Sequence, residues 1–324
     1  MRKLVRAIAL SVVLCGCASP LAWTPPTQTS TRMPSAALGT GKAGTRIGGI
    51  GGGPNVGTPS HMLMGAYEAV SPGTWAGMAE FGSATGVTPK VALYYSTWNS
   101  GFNTTFAQAA RSHGAYVFVE LEPFGVSLAS IAAGRSDNYL RTYASTIREF
   151  GHPVILSFAH EMNGNWYSWG DGHVTPAEFI AAWRHVVQVF RAEGASNVTW
   201  VWTVNNTIVK DSLRPWWPGA KWVDWVGVDG YYVFHSDSFD SVFGTTIAQI
   251  RAFSHAPVMI AETAVGVTTN RETQIANLFD GAHTDHIVAL VWFDKTQNAG
   301  VYHQNWRLED DPAALGAFKQ AQQA

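Results

Sequence analysis

Eight short apolar runs, each separated from the next by a longer amphipathic or polar stretch, dominate the sequence after residue 60. They cover residues 62–67, 90–95, 116–121, 154–159, 198–203, 223–229, 258–262 and 287–293. Several are nearly continuous, as in Val154-Ile155-Leu156-Ser157-Phe158-Ala159. A strand with one wet face alternates apolar and polar residues, whereas a strand that is apolar throughout has both faces covered. Between these runs the pattern predicts helices over 103–113, 137–150, 176–193, 239–253, 271–282 and 312–322. The third has the fullest end signals. Thr175 stands at the N-cap, Pro176 at the first helical position and Glu178 in the first turn, and Gly194 stops the run. Strands alternating with helices pair in parallel through right-handed crossovers. Eight such units predict an α/β fold closed into a (β/α)8 TIM barrel, one domain over residues 61–324. A doubly wound open sheet is the rival, but eight strands and no nucleotide fingerprint in this part weigh against it.

The first sixty residues read differently. Arg2, Lys3 and Arg6 precede a short apolar run over residues 7–14, followed by Leu14-Cys15-Gly16-Cys17. This resembles a bacterial lipobox, with Cys15 an unusual occupant. Residues 1–17 are therefore expected to be a signal peptide with a lipid on Cys17 that attaches the protein to the membrane at the cell surface; without lipidation the protein is secreted. The apolar run is too short to span a bilayer. Both cysteines of the chain lie here, so the remainder has no disulfide, no Cys nucleophile and no thiolate metal site. Residues 18–60, rich in Ser, Thr, Pro and Gly, are expected to form a flexible tether. The G-x-G-x-x-G spacing at residues 39–44 has no strand before it and reads as part of that tether. A formal net charge of −2 gives no basic face for a nucleic acid. The chain is expected to be a monomer.

In a barrel the chemistry sits where the strands end. The fourth run ends in His160-Glu161-Met162-Asn163-Gly164-Asn165-Trp166, the seventh in Glu262-Thr263. A Glu directly after an apolar strand is costly unless it lines a cleft or is paired. Two carboxyls facing one cleft are what acetal hydrolysis needs, one to protonate the departing oxygen and one to stabilise or capture the cationic centre. Other hydrolytic chemistries fit less well. His160-Glu161 opens like the zinc motif H-E-x-x-H, but Gly164 stands where the second ligand belongs. G-x-S-x-G does not occur. No metal or organic cofactor is expected. The 14 Trp, beyond filling the core, are expected to supply some stacking platforms for sugar rings.

The segment His160–Trp166 resembles the acid/base signature of glycoside hydrolase family 26, which includes bacterial endo-β-1,4-mannanases, mixed-linkage β-glucanases and β-1,3-xylanases. Further segments are similar in the family's order: Leu121-Glu122-Pro123-Phe124, Val201-Trp202-Thr203-Val204-Asn205, Val226-Gly227-Val228-Asp229-Gly230-Tyr231, Ile260-Ala261-Glu262-Thr263 and Val291-Trp292-Phe293-Asp294. The resemblance spans residues 60–324. It implies a retaining double displacement on a β-linked polysaccharide, with Glu161 as acid/base and Glu262 as nucleophile. It implies further that His160 lies beside the nucleophile or a sugar hydroxyl, and that Tyr231 holds the nucleophile by a hydrogen bond. Trp166 becomes a stacking wall and Trp292 the floor under the sugar. Glu122, Asn163, Asp229 and Trp202 complete the expected substrate-binding set; for Glu122 and Asp229 an internal ion pair is an equal reading. Trp166-Tyr167-Ser168-Trp169-Gly170 stands where mannanases more often carry Phe-Trp-Trp, and Leu121 and Phe124 stand where Trp is common; the Tyr167 variant looks more like the glucanase branch. A transglycosylase acting on an envelope glycan and a non-catalytic carbohydrate-binding lipoprotein are the alternatives.

Overall fold

The structure, a computed structural model, describes residues 55–297 and 304–323. The signal segment, Cys17, the glycine spacing at 39–44 and most of the expected tether lie outside the described residues. Residues 55–60, read as the tether's end, lie against the barrel. The Val56 N–H donates to Thr199 Oγ1 at 2.9 Å, and its side chain packs on the core.

Eight parallel strands close into a barrel in chain order. They are β1 Leu63–Glu68, β2 Val91–Thr97, β3 Tyr116–Glu122, β4 Val154–Phe158, β5 Val198–Asn205, β6 Trp225–Asp229, β7 Val258–Thr263 and β8 Ala289–Asp294. Every expected strand is present, and no end moves by more than two residues. The barrel shuts where β8 pairs with β1, from Leu63↔Ala289 to Glu68↔Asp294. The helices around it are α1 Ala76–Thr85, α2 Thr104–Ser112, α3 Leu128–Ala132, α4 Asp137–Phe150, α5 Pro176–Ala192, α6 Thr245–Arg251, α7 Arg271–Thr284 and α8 Pro312–Ala321. The expected helix at 239–253 is two pieces, a π turn at Asp240–Gly244 and then α6. Two helices carry no periodic signature. In α1 the apolar residues are spread round the helix among two glycines, and α3 has only five residues.

Strand alternation sorts the side chains. On β5, Trp200 and Trp202 point outward, Trp200 onto Phe190 and Trp183 of α5 and Trp202 onto Trp217 and Phe253. Thr203, between Trp202 and Val204, points inward to Glu120 of β3. The layer between sheet and helices thus takes up much of the aromatic content. The ladder breaks its rhythm at β7. Val228↔Ile260 is followed by Asp229↔Glu262, and Ile260↔Leu290 by Thr263↔Trp292, so β7 holds one residue more than each neighbour. Such a bulge re-aims side chains next to it, and Glu262 sits in it.

The end signals of α5 are realised as a capping box. Glu178 N–H donates to Thr175 Oγ1 at 3.3 Å, and Thr175 N–H donates to Glu178 Oε2 at 2.8 Å. Thr175→Ala is expected to cost about 1 kcal/mol, a loss of roughly 2–4 °C in Tm by circular dichroism.

Candidate active site

The chain leaves β4 through an unusual backbone. Ala159 (φ 51°) and Glu161 (φ 53°) both occupy the left-handed region, which side-chain-bearing residues adopt at a cost of about 1–3 kcal/mol each. Hydrogen bonds to both flanking strands hold them there. Ala159 N–H donates to Leu121 O of β3, and Glu161 N–H to Thr203 O of β5, each at 3.0 Å. The turn that follows is packed around two glycines. A Cβ on Gly164 would stand 2.2 Å from the Trp166 ring, and one on Gly170 would stand 2.1 Å from Gly164 O. Trp169 Nε1–H donates to His160 O at 2.8 Å and closes the turn.

Glu161 lies in this turn and accepts two hydrogen bonds. Asn205 Nδ2–H donates to its Oε1 at 2.6 Å and Trp166 Nε1–H to its Oε2 at 2.8 Å. Asn205 is itself held by Asn163. The Asn163 Nδ2–H donates to Asn205 O at 2.7 Å, while Asn205 N–H donates to Asn163 Oδ1 at 2.9 Å. Across the mouth, Glu262 accepts from two tyrosines, Tyr231 Oη–H at its Oε2 (2.7 Å) and Tyr95 Oη–H at its Oε1. His160 is buried between Tyr167 Oη (3.2 Å from Nε2) and Glu120 Oε2 (3.4 Å from Nδ1). Burial drops its imidazole to about 3, so it is neutral. Glu161 and Glu262 share one cleft with Tyr95, His160, Tyr167, Asn205, Tyr231 and the wall formed by Phe293, Gln297 and Trp306. Larger hollows, of about 410 and 550 Å³, lie at the N-terminal ends of the strands, away from both glutamates.

The electrostatics separate the carboxyls. Burial holds Glu262 above the ordinary carboxylate value, and the hydroxyls of Tyr95 and Tyr231 and the charge of Lys295 limit that rise. Glu161 is raised to about 7 by burial and then by the Glu262 charge, against the bonds from Asn205 and Trp166. Burial, followed by Glu262, pushes Glu122 to about 8 and holds Glu120 and Asp229 well above the carboxylate range. At neutral pH Glu161 therefore stands near its midpoint and Glu122 keeps most of its proton, while Glu262 is the carboxyl whose anion has two hydroxyl donors and a nearby cation.

Of the expected site residues, the structure brings together Glu161, Glu262, His160, Tyr231 and Trp166. Two expectations need correction. Trp292 is no floor: it is fully buried on the outer side of β8, with its ring 5.3 Å from Phe318 of α8 and its Nε1–H on Trp306 O. Trp202 points outward in the same way, away from any sugar. Strand alternation is the reason: the residue facing the cleft is Phe293, one place on from Trp292. Asn163, half-buried, bonds the Asn205 backbone with both ends of its amide and so positions Asn205. Glu122 and Asp229 are buried beside the cleft, and neither has a cationic partner among the described ion pairs. Trp166, expected to be a stacking wall, is half-buried and tied by its N–H to Glu161.

A family model described as glycosyl hydrolase family 26 matches residues 137–311, more than half of the chain. The chain belongs to this family. It is 29% identical over 292 residues to endoglucanase H of Acetivibrio thermocellus, covering 82% of this chain and 32% of that protein. It is 30% identical over 199 residues to the β-1,3-xylanase TXYA of a Vibrio species, covering 57% of this chain and 42% of the relative. The chain thus spans about a third of the first of these relatives and under half of the second. Its fold is that of a modular endo-β-1,4-mannanase from Cellulomonas fimi, with a TM-score of 0.63 at 16% identity, over 82% of this chain and 71% of that one.

Sequence reasoning missed Tyr95, Asn205, Glu120, Phe293 and Trp306 as site residues. Tyr95 and Asn205 stand at strand ends, a signal that the barrel rule offers. Trp306 follows the last strand in a loop and had no such signal.

The raised carboxyl of Glu161 has a consequence for stability. The folded state holds this proton up to about pH 7 and the unfolded chain only up to about 4.5, so stability falls as pH rises through that window. Glu161→Gln is expected to remove this loss, on the order of 3 kcal/mol above pH 7. Urea unfolding at pH 4.5 and pH 7.5 would show a smaller pH dependence for the variant than for the wild type; equal slopes would refute the shift.

Proposed function

We propose that the chain is a retaining endo-β-glycosidase acting on a β-linked polysaccharide, with Glu161 as acid/base and Glu262 as nucleophile. One observation carries the reading: two carboxyls face one cleft in opposite environments, Glu161 poised near neutrality and Glu262 supported as an anion by two phenol hydroxyls and Lys295. Glu262 attacks the anomeric carbon while Glu161 gives its proton to the leaving oxygen. Once Glu262 is esterified by the sugar its charge is gone, and with it the repulsion that kept the Glu161 proton in place. Glu161 then ionises more readily and takes a proton from water, which attacks the glycosyl-enzyme. Tyr95 and Tyr231 fix the direction of the Glu262 carboxylate, and Phe293, backed by the almost fully buried Trp306, forms the apolar side of the cleft. Mixed-linkage or β-1,4-glucan is the favoured substrate, with mannan second. Tyr167 in the cleft and the extent of the match to a protein named endoglucanase support that order.

Release of reducing sugar from glucomannan, galactomannan, mixed-linkage β-glucan and β-1,3-xylan tests this. Glu262→Ala is expected to lose at least about 10³-fold in kcat while remaining folded, and wild-type-like turnover in it would sink the assignment. Glu161→Ala is expected to keep the first step on an activated aryl glycoside and to regain its slow second step with azide. The wild-type kcat/KM is expected to fall as pH rises past about 7, where Glu161 loses its proton. A profile flat to pH 9 would argue against that role.

A further inference from the structure

β1 and β8 run side by side to their last residues, Glu68 and Asp294, which are register partners. One residue earlier, Tyr67 and Phe293 stack at 4.7 Å behind the cleft. Alternation turns Glu68 and Asp294 to the opposite, outer face of the sheet. There α1 comes close: a Cβ on Gly77 would stand 2.8 Å from Glu68 Cβ. Glu309, three residues beyond Trp306, completes the group. One carboxyl oxygen from each of Glu68, Asp294 and Glu309 lies within 4.8 Å of the others. Asp294 is fully buried and Glu68 is 4% exposed.

Three acidic residues together do not make a site. The independent observation is what their oxygens lack. Among the described residues, no donor from outside the group reaches Glu68 Oε1 or Asp294 Oδ2, and Glu309 Oε2 has only the Arg307 guanidinium at 3.7 Å, whereas the other oxygen of Asp294 accepts Leu308 N–H at 3.0 Å. Arg307 approaches from outside. Its guanidinium donates to Glu80 Oε1 at 3.5 Å and is shared with Glu309 Oε2 and Asp310, each at 3.7 Å, without reaching Glu68 or Asp294. Buried carboxylate oxygens call for a compensating partner, and here three converge on one point.

We propose that Glu68, Asp294 and Glu309 bind a hard divalent cation, calcium, behind the wall of the cleft. Calcium takes oxygens at about 2.3–2.6 Å in flexible geometry, so two of its ligands stand at most about 5 Å apart, which this group meets; magnesium dehydrates reluctantly and is seldom held by a cage of protein carboxylates. Glu309 is 15% exposed, which gives the ion an entry path and room for water ligands. The ion would tie β1 and β8 to the segment carrying Trp306, whose ring lines the cleft. The rival occupant is a proton: in the absence of an ion, burial raises Glu68 to about 10 and Asp294 to about 8.

Calorimetric titration of the EDTA-stripped whole chain with calcium chloride, paired with thermal unfolding, decides between them. One calcium per chain is expected, with a rise in Tm of roughly 5 °C near saturation. Glu309→Gln and Asp294→Asn, checked for folding by circular dichroism, are expected to lose both responses. Glu80→Gln, an exposed carboxyl outside the cluster, is expected to keep them. No binding heat and an unchanged Tm in the wild type would overturn the proposal in favour of shared protons. Calcium binding that survives in both cluster variants would overturn it by placing the ion elsewhere. Neither readout depends on glycosidase activity, so failure here leaves the proposed function untouched.

Discussion

The charge on Glu262 is the constraint around which the mouth of the barrel is arranged. A carboxylate buried this deeply would normally take up a proton. Two phenol hydroxyls, from β2 and from the end of β6, and the nearby Lys295 reduce that tendency. The same charge then acts on its neighbours. It is the second cause, after burial, of the raised values at Glu161, Glu122, Glu120 and Asp229. Burial does most of this and the Glu262 charge adds to it, so the asymmetry that acetal chemistry needs follows from the surroundings of each carboxyl.

Backbone strain places the second carboxyl. Two left-handed residues without glycine's freedom turn the end of β4 so that Glu161 meets Asn205 and Trp166. The costs are offset by bonds to β3 and β5 on either side, and by a turn whose two glycines allow Trp166 to lie over the chain. On β7 an inserted residue serves the same end by a different route. The two glutamates therefore depend on irregularities of the strands that carry them, and regular alternation governs the rest of the barrel.

That contrast explains which expectations held. Continuous apolar runs and helix end signals are local properties, and they located all eight strands. The Thr175 capping box is legible because each partner lies within one turn of the other. The two glutamates were legible because an acid after an apolar strand conflicts with the local pattern. Trp292 and Trp202 were misread because side-chain direction depends on the phase of a strand, and an apolar strand buried on both faces carries no polar alternation to reveal its phase. The tie between Asn163 and Asn205 was not legible because the two lie 42 residues apart, on β4's exit and on β5.

The sequence by itself determined the barrel, its strand order and the two carboxyls, since hydrophobic periodicity and the cost of a misplaced charge act within a few residues. Only the tertiary structure decided what surrounds those carboxyls. Tyr95 reaches Glu262 across 167 positions of the chain, and Glu68 meets Asp294 only because the barrel closes on itself. Contacts of that range are set by closure and packing, which no local pattern encodes.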